Sequence, residues 1–323
     1  MPQKDRIIFY GTPEFAVASL KELYDEGFNI VGVVTAPDKP AGRGKKLKAS
    51  AVKQFAVRKG LPVYQPENLK SEEFNAQLTK LKPDLQIVVA FRMLPEKVWK
   101  LPRHGTFNLH ASLLPAYRGA APINHAIING EKYTGLTTFF INEKIDTGEI
   151  IFQEKTPIHS EDNAGMLHDR MMMQGSKLVV KTARAIEKGP VKTTSQKELA
   201  EGNGIVKQAP KIFRKDCHIK WNSKKLDQLR NFIRGLSPCP AAHTYLVSPE
   251  GEKHMLKIFE VAAIKEKHNY GYGQLLTDGK KFLDVTTPEG YIQIMELQLS
   301  GKKKMTTPEF LRGFPLDESW KLV

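Results

Sequence analysis

Cysteine is scarce in this chain: Cys217 and Cys239 are the only two, in no C-x-x-C spacing, which excludes a disulfide scaffold and a cysteine-rich zinc site and fits a reducing, cytoplasmic setting. No run approaches the about 18 apolar residues that a bilayer span needs, and Lys4 and Arg6 are followed by no apolar signal stretch, so neither membrane spanning nor secretion is expected. The turn after the first β-rich run, Gly11-Thr12-Pro13-Glu14-Phe15, has one glycine where a dinucleotide fingerprint uses three, which argues against a nicotinamide cofactor. The histidines show no H-E-x-x-H or other metal spacing and Ser112 lacks a G-x-S-x-G elbow, so neither a metal centre nor serine hydrolysis is expected. Acidic residues are also in short supply, 35 against 49 Lys and Arg, for a net charge of +14 that makes a polyanionic partner worth considering.

What is present reads as a folded, water-soluble chain, with 41% hydrophobic and 26% charged residues, and 323 residues suggest two domains. Apolar, β-branched runs at 6–10, 29–35, 84–90 and 106–110 alternate with helical patterns at 49–59, 71–81 and 122–129, and Phe15, Val17, Leu20 and Leu23 add another after the first run. Buried strands alternating with helices predict a doubly wound, mostly parallel α/β sheet, Rossmann-like in layout. Strand-like runs at 136–141 and 149–153 and a long amphipathic helix over 162–188 complete the first domain, residues 1–189. Periodicity is then lost and Gly, Pro, Thr, Ser and Gln collect, so 190–208 reads as a linker. Beyond it, a helix over 223–235 and short strands at 256–263, 273–277, 282–286 and 291–299 predict a small, OB-like β-barrel in a second domain, 209–323.

One constellation has chemical potential. In Asn108-Leu109-His110 the outer residues share one face of a strand, at the carboxyl end where open α/β sheets place ligands. Asp146, in a D-T-G turn, could orient and charge the imidazole, giving an oxyanion donor, an acid or base and its electrostatic partner. From spacing alone, a lone histidine at a strand end is more often a hydrogen-bonded structural residue, and Asp-Thr-Gly is a common turn.

The motifs then resolve the choice by resemblance. R-I-I-F-Y-G-T-P-E-F-A at the start, P-D-K-P-A-G-R-G-K-K at 37–46, N-L-H-A-S-L-L-P-A-Y-R-G-A-A-P at 108–122, I-D-T-G at 145–148 and a C-terminal module after a linker make the chain resemble the methionyl-tRNA formyltransferase family over its whole length. The Asn, His, S-L-L-P and D-T-G elements are shared by enzymes that move a formyl group from 10-formyltetrahydrofolate. The G-R-G-K-K loop and the basic C-terminal domain are what point to tRNA. The resemblance implies transfer of the formyl group to the α-amine of methionine on initiator tRNA, with Asn108, His110 and Asp146 catalytic. It further implies that Val89, Phe91, Leu94, Ser112, Leu113, Leu114, Pro115 and Asp146 line the folate site. Neither a metal nor an obligate protein partner is implied. Where the family usually reads V-V-A-Y-G, this chain has Val88-Val89-Ala90-Phe91-Arg92, which puts the pterin contacts in question and leaves Arg92 facing either solvent or the folate glutamate.

Other acceptors remain as alternatives: a nucleotide-linked amino sugar, or water, and, outside catalysis, a simple tRNA-binding protein. The cationic segment around Arg43, Lys45 and Lys46, expected to be a mobile loop that enters the acceptor end of the tRNA, favours the tRNA enzyme. Residues 209–323 carry 19 Lys and Arg against 13 Asp and Glu, a net +6 of the total +14, so the charge is spread over both domains. Within the second domain Lys211 and the run Lys302, Lys303, Lys304 are the densest candidates for phosphate contact.

Overall fold

The computed structural model describes residues 4–41, 46–201, 206–222 and 225–323. In chain order the first half contains β1 (Arg6–Gly11), α1 (Glu14–Asp25), β2 (Asn29–Val34), β3 (Lys39–Ala41), β4 (Lys46–Lys48), α2 (Ala51–Arg58), β5 (Val63–Tyr64), α3 (Glu72–Leu81), β6 (Leu85–Val89), α4 (Glu96–Trp99) and β7 (Thr106–His110). Then follow α5 (Pro122–Ile128), β8 (Tyr133–Phe140), β9 (Ile150–Pro157), α6 (Ala164–Glu187), α7 (Gln196–Glu201) and α8 (Leu226–Leu236). The chain ends with β10 (Ala242–Val247), β11 (Lys253–Lys265), β12 (Leu275–Thr277), β13 (Leu283–Thr287), β14 (Gly290–Leu299), β15 (Met305–Thr306), α9 (Thr307–Gly313) and β16 (Lys321–Leu322).

Two compact units result. The first gathers Met1–Gly119, Thr134–Pro157 and His168–Ala209, and the second Ala120–Tyr133, Ile158–Leu167 and Pro210–Val323. The first unit holds a seven-stranded sheet in the order β5-β2-β1-β6-β7-β8-β9. Pairings from β5 through β7 are parallel and β8 runs antiparallel to β7. The apolar runs read from the sequence form its centre because β1 and β6 are covered on both faces, leaving Ile7, Ile8, Phe9, Tyr10 and Ile87 fully buried. On one face Ile8, Tyr10 and Val88 pack with Phe74 and Leu78 of α3 and Val98 of α4. On the other, Leu109 of β7 lies against α6 so closely that a Cβ at Gly175 would stand 2.8 Å from its Cδ2 and would have to push that side chain aside. Serines at the starts of α2 and α3 fix two helix entries: Ser50 accepts from the Lys53 N–H and Ser71 from the Phe74 N–H.

Of the cationic segment, expected as a loop, residues 39–41 and 46–48 pair as a two-stranded ribbon in which Lys39 faces Lys48 and Pro40 faces Leu47, and 42–45 lie outside the described residues. Within the linker-like 190–208 stretch, Thr194 exchanges both backbone hydrogen bonds with Ile150 at 2.9 Å, and Lys207 O accepts from Tyr117 N–H at 2.6 Å.

The second unit is an antiparallel, nearly closed barrel in the order β12-β13-β14-β11-β10-β16, with β15 on β14. Its core gathers Leu229 and Ile233 of α8, Leu256 and Ile258 of β11 and Ile292 and Ile294 of β14. Helix α5 belongs here, its Asn124 amide donating to Gly235 O at 2.7 Å.

Candidate active site

Strand β7 ends at the carboxyl edge of the first unit's sheet, and its alternation sets Asn108 and His110 on the face opposite Phe107 and Leu109. His110 is buried, and its Nε2 lies 2.9 Å from the Tyr117 carbonyl. A carbonyl only accepts, so Nε2 carries the proton and Nδ1 is the nitrogen left to take one up. Asp146 Oδ2 stands 3.8 Å from Nδ1, beyond a hydrogen bond, and is held by the Gly119 N–H at 3.0 Å. Asn108 is half-buried, and its amide has no hydrogen-bond partner among the described residues. The three residues expected to act together thus lie at one sheet edge.

The D-T-G turn has a steric reason for its sequence. Asp146 adopts φ +54°, and a Cβ at Gly148 would fall 1.6 Å from the Phe140 carbonyl oxygen, so this position admits only glycine. Gln196 ties the turn down: its Nε2 donates to Asp146 O at 3.0 Å and Gly148 O at 2.8 Å, and its Oε1 accepts from Arg118 Nε at 3.1 Å and Nη2 at 2.7 Å. Burial lowers the Arg118 pKa from the ordinary arginine value and the Asp146 carboxylate opposes that shift.

The S-L-L-P segment is fixed from below. Thr137, opposite His110 on β8, donates its hydroxyl to Ser112 O at 2.7 Å and accepts from Leu114 N–H at 3.1 Å and the Gln153 amide at 3.0 Å. Ser112 is buried with its hydroxyl donated to Ala116 O at 2.6 Å, Leu114 packs with Phe139 and Ile150, Pro115 is buried, and Leu113 lies over Gly135 of β8. Of the other expected folate-lining residues, Val89 and Leu94 are buried and Phe91 is half-buried against the Tyr10 ring. Tyr10 ends in a buried hydroxyl with no partner among the described residues, and burial pushes its pKa far up. Arg92 is exposed, its guanidinium donating to Pro66 O at 2.8 Å and Glu67 O at 3.0 Å beside the Phe91 ring.

Of the candidate phosphate contacts, Arg43 and Lys45 lie outside the described residues, and Lys46 opens β4 opposite Ala41. A cleft of about 620 Å³ opens at the ribbon's root, lined by Glu14, Lys39, Lys48, Ser50, Gln54 and Arg58. In the second unit Lys211 is exposed over the Phe213 ring, and Lys302, Lys303 and Lys304 are exposed between β14 and β15, with Lys304 paired to Glu296 at 2.5 Å. Among the described residues no three His, Cys, Asp or Glu side chains gather as metal ligands would. Sequence reasoning missed Gln196, Thr137 and the Tyr117 carbonyl. The last has no side-chain signal, and the first two are polar residues in a linker-like stretch and a β-rich run, where nothing local marks them.

Comparison with known proteins matches two family models, formyl transferase over residues 5–183 and formyl transferase, C-terminal domain, over residues 211–315. The methionyl-tRNA formyltransferase of Bacteroides fragilis strain NCTC 9343 is 54% identical over 98% of this chain and 97% of its own length. That of Flavobacterium johnsoniae is 51% identical over 99% of both chains. Among solved structures the fold is similar to WlaRD, a sugar 3N-formyl transferase (TM-score 0.62, 21% identity, covering 93% of this chain and 100% of that one). It is also similar to HypX from Aquifex aeolicus in complex with tetrahydrofolic acid (TM-score 0.62, 18% identity, covering 95% of this chain and 46% of that one).

Proposed function

The chain belongs to the formyl transferase family and, within it, to the methionyl-tRNA formyltransferases, and from that membership and the Asn108 edge we propose that it transfers the formyl group of 10-formyltetrahydrofolate to the α-amine of methionine on initiator tRNA. In this reading residues 1–189 are the catalytic domain, 190–208 the connection and 209–323 a tRNA-binding barrel, working in the cytoplasm. No helix among the described residues is long and apolar enough to cross a membrane.

The observation that carries the reading is the meeting of Asn108, His110 and Asp146 at the carboxyl edge. The neutral amine attacks the formyl carbon, a C–N bond forms, and the carbonyl electron pair moves onto oxygen. The Asn108 amide and an imidazolium at His110 stabilise that oxyanion, while Asp146 balances the imidazolium charge. On collapse the bond from the formyl carbon to the folate nitrogen breaks, and the proton lost by the amine ends on that nitrogen. Orientation by Tyr117 O suits this role because it fixes the imidazole plane and leaves Nδ1 to gain the proton beside the carboxylate. Val89, Phe91, Leu94 and the Ser112, Leu113, Leu114, Pro115 segment wall the folate site with Asp146. Arg92, tied to backbone carbonyls, is not a folate ligand in this reading. Arg43, Lys45, Lys46, Lys211, Lys302, Lys303 and Lys304 meet tRNA phosphates.

The test is incubation with the formyl donor and methionyl initiator tRNA, followed by analysis of the aminoacyl product. Formylmethionine on the tRNA is expected, and its absence with intact, folded protein refutes the reading. Identities of 47% to 54% to methionyl-tRNA formyltransferases, against 21% to the sugar formyltransferase, favour tRNA over a nucleotide sugar as acceptor.

A further inference from the structure

Gln196 stands in a stretch with linker composition, yet it is only 2% exposed, which is rare for a polar side chain without a specific task. All four hydrogen-bonding positions of its amide are used. Two donate, to the carbonyls of Asp146 and Gly148, and two accept, from the Arg118 guanidinium. The partners fix the amide's orientation, because carbonyls only accept and a guanidinium only donates.

We propose that Gln196 is a positioning residue for formyl transfer, acting on the His110 imidazole from both sides. On one side it clamps the carbonyls that flank Thr147, holding Asp146 at φ +54°, a left-handed conformation that a non-glycine residue keeps only when its surroundings insist. That conformation sets the carboxylate across from Nδ1. On the other side it holds Arg118, the neighbour of Tyr117, whose carbonyl receives the Nε2 proton. The Tyr117–Arg118 backbone is pinned independently: Tyr117 N–H donates to Lys207 O and Arg118 O accepts from Ala209 N–H. Gln196, Lys207 and Ala209 therefore hold the wall of the proposed active site from within or just after a linker-like stretch.

This inference rests on the catalytic reading given above, and its test separates the two. Gln196→Glu is isosteric, keeps an oxygen toward Arg118 and loses both N–H donors to the Asp146 turn. Gln196→Met loses both sets of bonds without adding charge to the interior. Formylation of methionyl initiator tRNA is measured for each, with melting temperature as the folding control. A displacement of about 1 Å at a reacting group costs about 10²-fold, so kcat is expected to fall by about that factor while KM for tRNA stays within about 3-fold. In an Asp146→Asn background, single-turnover rates are expected to fall less than about 3-fold further on adding Gln196→Glu, because that variant keeps an oxygen toward Arg118 and removes only the arm that works through Asp146. Wild-type turnover and its loss in Asp146→Asn establish the catalytic reading separately. With those in hand, a folded Gln196→Glu, or Gln196→Met where the first does not fold, that keeps wild-type kcat overturns the positioning role. Losses that multiply in the double variant overturn it equally.

Discussion

Replacing Thr137 by Val tests whether the wall beneath His110 is held by one hydroxyl. The swap keeps shape and volume but leaves the Leu114 N–H and the Ser112 carbonyl without their partner, while the Gln153 amide retains Leu114 O at 2.8 Å. Thr137 is fully buried, so water cannot replace the hydroxyl. Each orphaned backbone group costs about 1–3 kcal/mol, for a total of about 2–6 kcal/mol. At about 2–4 °C per kcal/mol for a unit of this size, the melting temperature is expected to drop by about 4–24 °C. Thr137→Ser is the control: it keeps the hydroxyl and sacrifices one methyl, at about 1 kcal/mol. Because the loosened Ser112 to Pro115 segment walls the proposed folate site, KM for the formyl donor is expected to rise in the Val variant and not in the Ser variant. Urea unfolding and steady-state kinetics on both would check this. A Val variant within about 0.5 kcal/mol of the Ser variant would refute the assignment of Thr137 as the anchor.

Three further outcomes are expected. Alanine at Asn108, His110 or Asp146 should lower single-turnover formylation by about 10²–10³-fold per lost oxyanion donor or partner, with tRNA binding nearly unchanged; near-normal chemistry in all three would remove the proposed catalytic set. Arg43→Ala, and the double change at Lys45 and Lys46, should lower kcat/KM for tRNA, by about 1–3 kcal/mol for Arg43, and flatten the dependence of log affinity on log salt by about 0.9 per lost phosphate contact, which kinetics at two salt concentrations would show. His243 in β10 is buried and its pKa is lowered by that burial and then by His218, Arg214 and Lys257, so the unfolded chain binds the proton more readily. Stability of the barrel unit should therefore decline as pH falls below about 6.5, where the unfolded imidazole charges first. His243→Phe should flatten that decline in thermal melts between pH 7.5 and 5.5, and an unchanged slope would place its cause elsewhere.

Much of the fold is legible in sequence because its signals are local. The 6–10 run became β1 and the long amphipathic pattern became Ala164–Glu187, since hydrophobic periodicity reports which face of an element is buried whatever the partner. Element ends moved by a few residues where caps decide them: the last long helix starts at Leu226, after Lys225, whose N–H donates to Gln228. Strand alternation likewise placed Asn108 and His110 side by side.

The remainder was settled by contacts between segments far apart in the chain. Asp146 meets His110 only because β8 lies antiparallel beside β7, and Gln196 reaches Arg118 only because the chain returns along the first unit after α6. Residues 120–133 and 158–167 group with the second unit, which no local composition could indicate. Buried polar partners obey no periodicity: a threonine in a strand or a glutamine in a linker-like stretch looks the same whether it meets water or satisfies the backbone of a distant turn. The sequence by itself therefore determined most of the elements and marked Asn108, His110 and Asp146 as candidates, since periodicity and motif both depend on neighbours a few positions away. Only the tertiary structure decided how His110 is oriented and what holds Asp146, because those depend on hydrogen bonds that exist once the core has closed around them.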